Sequence, residues 1–205
     1  LEMFTSLSDE ATRTWQARFK QSDPPWMTAV LVGIQIRLWW FAWWTPEVAR
    51  FFTEHLTLDA TRVYEDAEVW RIFSMGFIHL AFFHAMMNLV WLAYTGWNLE
   101  RALGRLNLLL LYVTSVAAGS LLSIYGDPIS PSLGASGGVY GLVGASVVFG
   151  LVRPNLLPEA GRRLFGWALV PYLVLMASSG MNSDDIDNWS HLGGLIAGSA
   201  LVLFL

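Results

Sequence analysis

Six apolar segments recur along the chain, and their lengths restrict the fold more than any other feature of the sequence. They cover residues 26–44, 78–98, 106–125, 134–152, 164–181 and 190–205. A bilayer core of about 30 Å requires about 20 mostly apolar residues in a helix, so each segment is long enough, or nearly so, to cross a membrane. Because the backbone must satisfy its own hydrogen bonds in lipid, these segments should be helical. The sequence therefore predicts an all-α membrane protein with six transmembrane helices in residues 26–205.

The composition agrees with this prediction. Of the 205 residues, 55% are hydrophobic and 14% are charged, whereas about one quarter of the residues in soluble proteins are charged. The first 24 residues are polar and contain no apolar signal core, so we expect residues 1–25 to form a cytosolic lead-in.

Two classes of function are excluded by what the chain lacks. It contains no Cys, which excludes disulfides, thiol nucleophiles and thiolate metal sites. It also has no basic stripe that could neutralise phosphates, so nucleic acid is not an expected partner. The lipid bilayer is the expected partner instead.

The distribution of Lys and Arg predicts the orientation of the six helices. Basic residues occur before the first helix and in the second and fourth short loops, namely Arg13, Arg18, Lys20, Arg101, Arg105, Arg153, Arg162 and Arg163. The third and fifth loops contain neither Lys nor Arg. Only the long first loop breaks the trend, with Arg50, Arg62 and Arg71 among six acidic residues. Because basic loops remain in the cytoplasm, both termini should be cytoplasmic. Helices four and six should then be parallel and should both begin on the outer side.

Ser136 and His191 lie near the beginnings of these two parallel helices, at similar depths. A serine hydroxyl becomes a good nucleophile when a base takes its proton, and His is the usual base near neutral pH. No carboxylate lies within the predicted helices, so a Ser–His dyad is the simplest hypothesis. Tyr140 is one turn after Ser136 on the same face, where its ring could stack on His191 or serve only in packing.

Glycines provide a reason for these two helices to approach closely. Gly137 and Gly141 are four residues apart, as are Gly194 and Gly198, so each helix has a face of small residues. Such faces favour close packing of helices in lipid. The same pattern also occurs in unrelated transporters, so the glycines alone do not decide the function.

The second apolar segment supplies candidate donors for an oxyanion. His84 and Asn88 are four residues apart and therefore share one helical face, and His79 lies nearby. Polar groups at membrane depth usually line a wet cavity. The same histidines could be considered as zinc ligands with His191, but His79 and His84 diverge by about 140° around a helix. We therefore expect neither a metal nor a cofactor.

Taken together, these residues resemble those of the rhomboid intramembrane serine proteases, in the six-helix form common in bacteria. The resemblance covers roughly residues 68–198. Its markers are Trp70-Arg71, the array His79, His84 and Asn88, the motif Gly134-x-Ser136-Gly137, and His191-x-x-Gly194-x-x-x-Gly198. The four motifs occur in the order and on the segments that the family requires.

The resemblance implies a role for each marker. Ser136 would be the nucleophile and His191 the base, while His84, Asn88 and the Ser136 backbone N–H would bind the oxyanion. His79 would form a structural hydrogen bond. The Trp70-Arg71 pair would belong to a long first loop that dips into the outer leaflet. Glu100-Arg101 resembles a further motif of the family, although it could also be a solvated ion pair of little energetic value.

The implied function is cleavage of single-pass or other membrane-anchored proteins in or near their transmembrane segments. The implied location is a bacterial inner membrane, with the active site open to the periplasmic side. Three alternatives remain at this point: an inactive rhomboid-like chaperone, a relative that processes sorting signals, and a small transporter. Arg37 interrupts the first apolar segment and should face the bundle or extend toward the interface.

Overall fold

The computed structural model describes residues 12–14, 16–17, 24–157, 159–181 and 186–205. After a few helical residues between 12 and 17, the α-helices are α1 (Trp26–Trp44), α2 (Pro46–His55), α3 (Ala60–Tyr64), α4 (Arg71–Ser74), α5 (Phe82–Leu103), α6 (Arg105–Gly126), α7 (Ser136–Val152), α8 (Glu159–Arg162), α9 (Val170–Met181) and α10 (Asn188–Leu201). Turns of 3-10 helix cover Met75–Phe77, Pro154–Leu156, Gly166–Leu169 and Val202–Phe204. Within the described residues the regular secondary structure is thus all helical, as predicted.

The helix boundaries follow local sequence signals. Helix α1 begins directly after Pro24-Pro25, where a missing backbone N–H costs nothing. Gly104 separates α5 from α6 with φ = +88°, a conformation that glycine adopts easily. Residues 182–185 of the predicted loop between the last two apolar segments, including Asp184 and Asp185, lie outside the described residues, as does most of the predicted lead-in.

The predicted number of six membrane-crossing helices is not established by helix length and composition. Among the described residues, α6 is the one single helix that is long and apolar enough to cross a bilayer. The segments Arg71–Phe77 and Phe82–Leu103 qualify together but are bent by 94° at their break. Helix α7 is apolar but has only 17 residues. The count of six therefore stays a prediction.

Helix α7 lies at the centre of the fold. Every residue from Gly137 to Ser146 is buried, and α6 and α10 form the most extensive contacts with it. An all-round apolar helix of this kind belongs in the interior of a bundle. Ser136 is the first residue of α7. The candidate nucleophile therefore lies at the N-terminal end of the central helix.

The long segment between α1 and α5 is held together by the Trp70-Arg71 pair. The Arg71 side chain is 1% exposed, and it donates to the carbonyl of Thr57 at 2.8 Å and pairs with Glu68. The Trp70 indole N–H donates to the carbonyl of His55 at 3.0 Å. These bonds give the segment a fixed shape, because a buried guanidinium requires its partners. Whether the segment dips into a leaflet stays a prediction.

Glu100 has a different role from that of a solvated ion pair. Its carboxylate is buried and accepts hydrogen bonds from the backbone N–H groups of Met27 and Thr28 at 2.9 and 2.7 Å. It also accepts the Thr28 hydroxyl at 2.7 Å. Because the first N–H groups of a helix lack partners within it, Glu100 caps α1 from α5. The ion-pair alternative is therefore wrong for this carboxylate.

Arg37 lies on the exposed side of α1 and does not enter the bundle. Its guanidinium carbon is 5.8 Å from the centre of the Phe41 ring, one turn further along. Buried Gln35, two residues earlier, points inward instead and donates to the hydroxyl of Tyr112 at 3.0 Å. Gln35, and not Arg37, therefore joins this part of α1 to the core.

Candidate active site

The segment that leads into Ser136 is fixed by hydrogen bonds to the turn before α5. The Gly134 N–H donates to the carbonyl of Met75 at 2.9 Å, and the Ala135 N–H donates to Nε2 of His79 at 3.2 Å. His79 itself is 1% exposed. This buried imidazole accepts a backbone hydrogen bond immediately before the serine, while the structural role expected for it stays a prediction.

Ser136 begins α7 and is partly exposed. Ala135 precedes it at the N-cap and provides no side-chain cap. The first N–H groups of a helix have no acceptor within the helix and favour negative charge. The Ser136 backbone N–H is therefore in a position that suits an oxyanion.

His84 packs directly against the backbone of Gly134. A Cβ atom at Gly134 would lie 2.6 Å from Cε1 and 2.7 Å from Nε2 of His84. The same glycine has φ = +132°, which L-residues with side chains rarely adopt. Gly134 is thus required both by its backbone conformation and by the closeness of the imidazole. The Nε2 edge of His84 contacts the chain two residues before Ser136.

Asn88 lies one turn after His84 on the same face of α5, as its spacing predicts. Its side chain is buried, and its amide nitrogen donates to the carbonyl of His84 at 2.9 Å. One of its two N–H groups is therefore bound to its own helix, which leaves the second for another acceptor. The sequence did not indicate this local bond.

His191 lies one turn from the beginning of α10, and its ring is stacked on that of Tyr140. The ring centroids are 4.1 Å apart and the planes differ by 12°. Because Tyr140 is one turn after Ser136 on α7, the stack brings the candidate base to the end of α7 that carries the candidate nucleophile. Among the described residues, no group of three or more His, Asp or Glu side chains is placed so that it could hold a metal ion.

Helices α7 and α10 run parallel and in close contact through their glycines. A Cβ at Gly194 would lie 1.9 Å from the carbonyl oxygen of Gly137, and one at Gly198 would lie 2.1 Å from that of Gly141. The contacts advance in the same direction along both helices, which establishes that they are parallel. The two glycine pairs recognised in the sequence therefore form one interface.

Asp187 is a candidate functional residue that sequence reasoning missed. Its carboxylate accepts the Ser190 N–H at 2.8 Å and the Ser123 hydroxyl at 2.6 Å. Because Asp187 lies just before the last apolar segment, a search for carboxylates within the apolar segments does not find it. An Asp three residues before a helical N–H is a recognisable capping signal, so it could have been found.

Comparison with known proteins relates this chain to one family. The Rhomboid domain family matches residues 66–205. The chain is 35% identical to Rhomboid-like protease 5 of Toxoplasma gondii over 151 residues, which are 73% of this chain and 18% of the relative. It is 33% identical to RHOMBOID-like protein 1 of Arabidopsis thaliana over 144 residues, 70% of this chain and 36% of the relative.

A third relative covers nearly the whole chain. Rhomboid protease GluP of Bacillus subtilis (strain 168) is 28% identical over 204 residues, which are 96% of this chain and 38% of the relative. The chain thus spans less than two fifths of the length of each of these three relatives. All the candidate site residues lie within the matched range, 66–205. The chain belongs to the rhomboid family and is an integral membrane protein.

Proposed function

We propose that this protein is an intramembrane serine endopeptidase that uses Ser136 and His191 as a catalytic dyad. The observation that supports this most strongly is the stack of His191 on Tyr140, since it brings an imidazole to the end of α7 that carries Ser136. The names of two relatives, Rhomboid-like protease 5 and Rhomboid protease GluP, support peptide-bond hydrolysis.

In the first half of the reaction, His191 takes the proton of the Ser136 hydroxyl as Oγ attacks the scissile carbonyl carbon. A C–O bond forms and the carbonyl oxygen becomes an oxyanion. Its donors are the Ser136 backbone N–H, the His84 imidazole and the remaining N–H of Asn88. The C–N bond then breaks as His191 returns its proton to the leaving amine, which leaves an acyl-enzyme.

In the second half, His191 takes a proton from water, and the resulting hydroxide attacks the ester. When the C–O bond breaks, Ser136 recovers its proton and the acid product leaves. No cofactor or metal enters either half. The substrates are membrane-anchored proteins whose transmembrane helix must unwind locally, because a helical carbonyl is already hydrogen-bonded. Helix-weakening residues near the scissile bond should therefore favour cleavage.

The proposed topology has six transmembrane helices in residues 26–205, with both termini cytoplasmic and residues 1–25 as a cytosolic lead-in. The site would open toward the periplasmic side of a bacterial inner membrane. The support is the distribution of Lys and Arg among the loops. Reaction of single engineered Cys residues with an impermeant maleimide would test the topology, since the chain has no native Cys.

The decisive test is reconstitution in vesicles with a single-pass reporter substrate. Wild-type protein should cleave the reporter, whereas Ser136→Ala and His191→Ala should not, and a fluorophosphonate should label Ser136 only when His191 is present. Unchanged cleavage by both variants would exclude the dyad. If the wild-type protein bound the reporter but neither cleaved it nor was labelled, the inactive rhomboid-like chaperone would be favoured. If cleavage were limited to C-terminal sorting signals, the relative that processes sorting signals would be favoured.

A further inference from the structure

Asp187 stands at the N-cap of α10, four residues before His191. Its Oδ1 accepts the Ser190 N–H at 2.8 Å, and its own carbonyl accepts the His191 N–H at 3.2 Å. An Asp in this position satisfies an N–H group that the helix itself leaves without a partner. Asp187 therefore fixes the turn of helix on which His191 stands.

The second carboxylate oxygen of Asp187 connects this turn to another helix. Oδ2 accepts the hydroxyl of Ser123, on α6, at 2.6 Å. Close by, a Cβ at Gly119 of α6 would lie 2.7 Å from the carbonyl oxygen of Ser190. The first turn of α10 is thus held against α6 both by a hydrogen bond and by close packing.

The imidazole of His191 has few other constraints on its orientation. Its Nδ1 atom is buried and has no hydrogen-bond partner among the described residues. The Tyr140 ring restrains the tilt of the imidazole by stacking, but a stack leaves rotation within the ring plane and sliding largely free. The position of the helical backbone therefore determines where the ring nitrogens lie.

From these contacts we propose that Asp187 is a positioning residue for the base, acting together with Ser123. The inference rests on the proposed serine endopeptidase function. By binding both the first turn of α10 and the side of α6, Asp187 sets the position of His191 relative to Ser136. The glycine contacts at Gly194 and Gly198 hold the rest of α10 but lie further from its beginning.

The test compares Asp187→Ala, Asp187→Asn and Ser123→Ala in the full chain in vesicles. Asp187→Ala should lower kcat about tenfold to hundredfold, since small displacements of catalytic groups have effects of that size, while KM stays unchanged. Asp187→Asn should restore most of kcat, because its oxygen can accept the Ser190 N–H and its amide can donate to Ser123. Thermal unfolding and fluorophosphonate labelling of Ser136 are measured in parallel.

Asp127→Ala is the matched control. Like Asp187, Asp127 has a carboxylate that accepts backbone hydrogen bonds, in its case from the N–H groups of Ile129 and Ser130, both at 3.2 Å. It lies in the loop after α6, however, and these bonds are to that loop. Its replacement should leave kcat and labelling at wild-type values. A similar loss of kcat in Asp127→Ala would show that any weakened loop on this side has the same effect, and would overturn the inference.

The remaining outcomes are also decisive. Wild-type kcat in Asp187→Ala, or an Asp187→Asn variant as slow as Asp187→Ala, would overturn positioning by hydrogen bonds. If Asp187→Ala does not fold, Ser123→Ala is the second test, because it removes only the contact of Asp187 with α6. Ser123→Ala should lower kcat and leave KM unchanged. A wild-type kcat in Ser123→Ala would overturn the inference. Full cleavage by Ser136→Ala would instead remove the proposed function and the positioning role together.

Discussion

The rings of Tyr140 and His191 lie nearly parallel, with 4.1 Å between their centroids and 12° between their planes. The phenol ring therefore forms a flat support for the candidate base. We expect Tyr140→Phe to keep reporter cleavage near wild type, because the stacking face is retained. Tyr140→Ala should remove a contact worth about 1 kcal/mol, equivalent to about a fivefold loss of kcat. Equal rates for the Ala and Phe variants would contradict a supporting role of the ring.

The contact of Gly194 with the backbone of Gly137 predicts a strong effect of a single methyl group. A Cβ there would lie 1.9 Å from a carbonyl oxygen, so Gly194→Ala must force α7 and α10 apart. Overpacking of this kind costs about 1–3 kcal/mol, and both the unfolding temperature and Ser136 labelling should fall.

Gly33→Ala is the control for Gly194→Ala. Gly33 is in α1, and a Cβ added to it would have no atom within 4 Å; Ala also favours helix more than Gly. We expect stability at or slightly above wild type. If both variants behaved alike, the close approach of α7 and α10 would not be what the glycines provide.

Gly134→Ala should abolish cleavage, because the new Cβ would lie 2.6 Å from the His84 ring and φ is +132°. Substitution of Gly104 distinguishes backbone strain from contact with His84. Gly104 also has a positive φ, +88°, but a Cβ added to it would have no atom within 4 Å. Gly104→Ala should therefore lower the unfolding temperature while the folded fraction cleaves normally. A loss of activity per folded molecule in Gly104→Ala would show that backbone strain alone, rather than contact with His84, explains the effect.

Periodicity and motif spacing were enough to predict the features of the site that depend on local geometry. The i, i+4 relation of His84 and Asn88, the glycine faces and the position of Tyr140 one turn after Ser136 follow from helical spacing, whereas the stack of Tyr140 on His191 was left open between a direct role and packing alone. Contacts between distant segments could not be read in this way. Glu100 binds residues 72 and 73 positions away, and nothing local distinguishes it from an interfacial carboxylate. The number of membrane-crossing helices also stays a prediction, because apolar segments of intermediate length meet only in part the length of about 20 residues that a helix needs to cross a bilayer.

The cap that Glu100 places on α1 predicts a large effect on stability from a residue outside the candidate site. Glu100→Ala would leave the N–H groups of Met27 and Thr28 without their carboxylate acceptor in a buried place, and hydrogen bonds to charged groups contribute about 1.5–3 kcal/mol each. We expect a fall of about 3 kcal/mol in the free energy of unfolding, measured by denaturation in detergent micelles. Glu100→Gln should recover part of the loss, because its oxygen still accepts one bond.

Asp66→Ala is the control for Glu100→Ala. The ion pair of Asp66 with Arg62 at 3.1 Å is half exposed, and such pairs contribute about 0–1 kcal/mol. If Glu100→Ala were no more destabilising than Asp66→Ala, the carboxylate would not be the cap that holds α1 on the bundle.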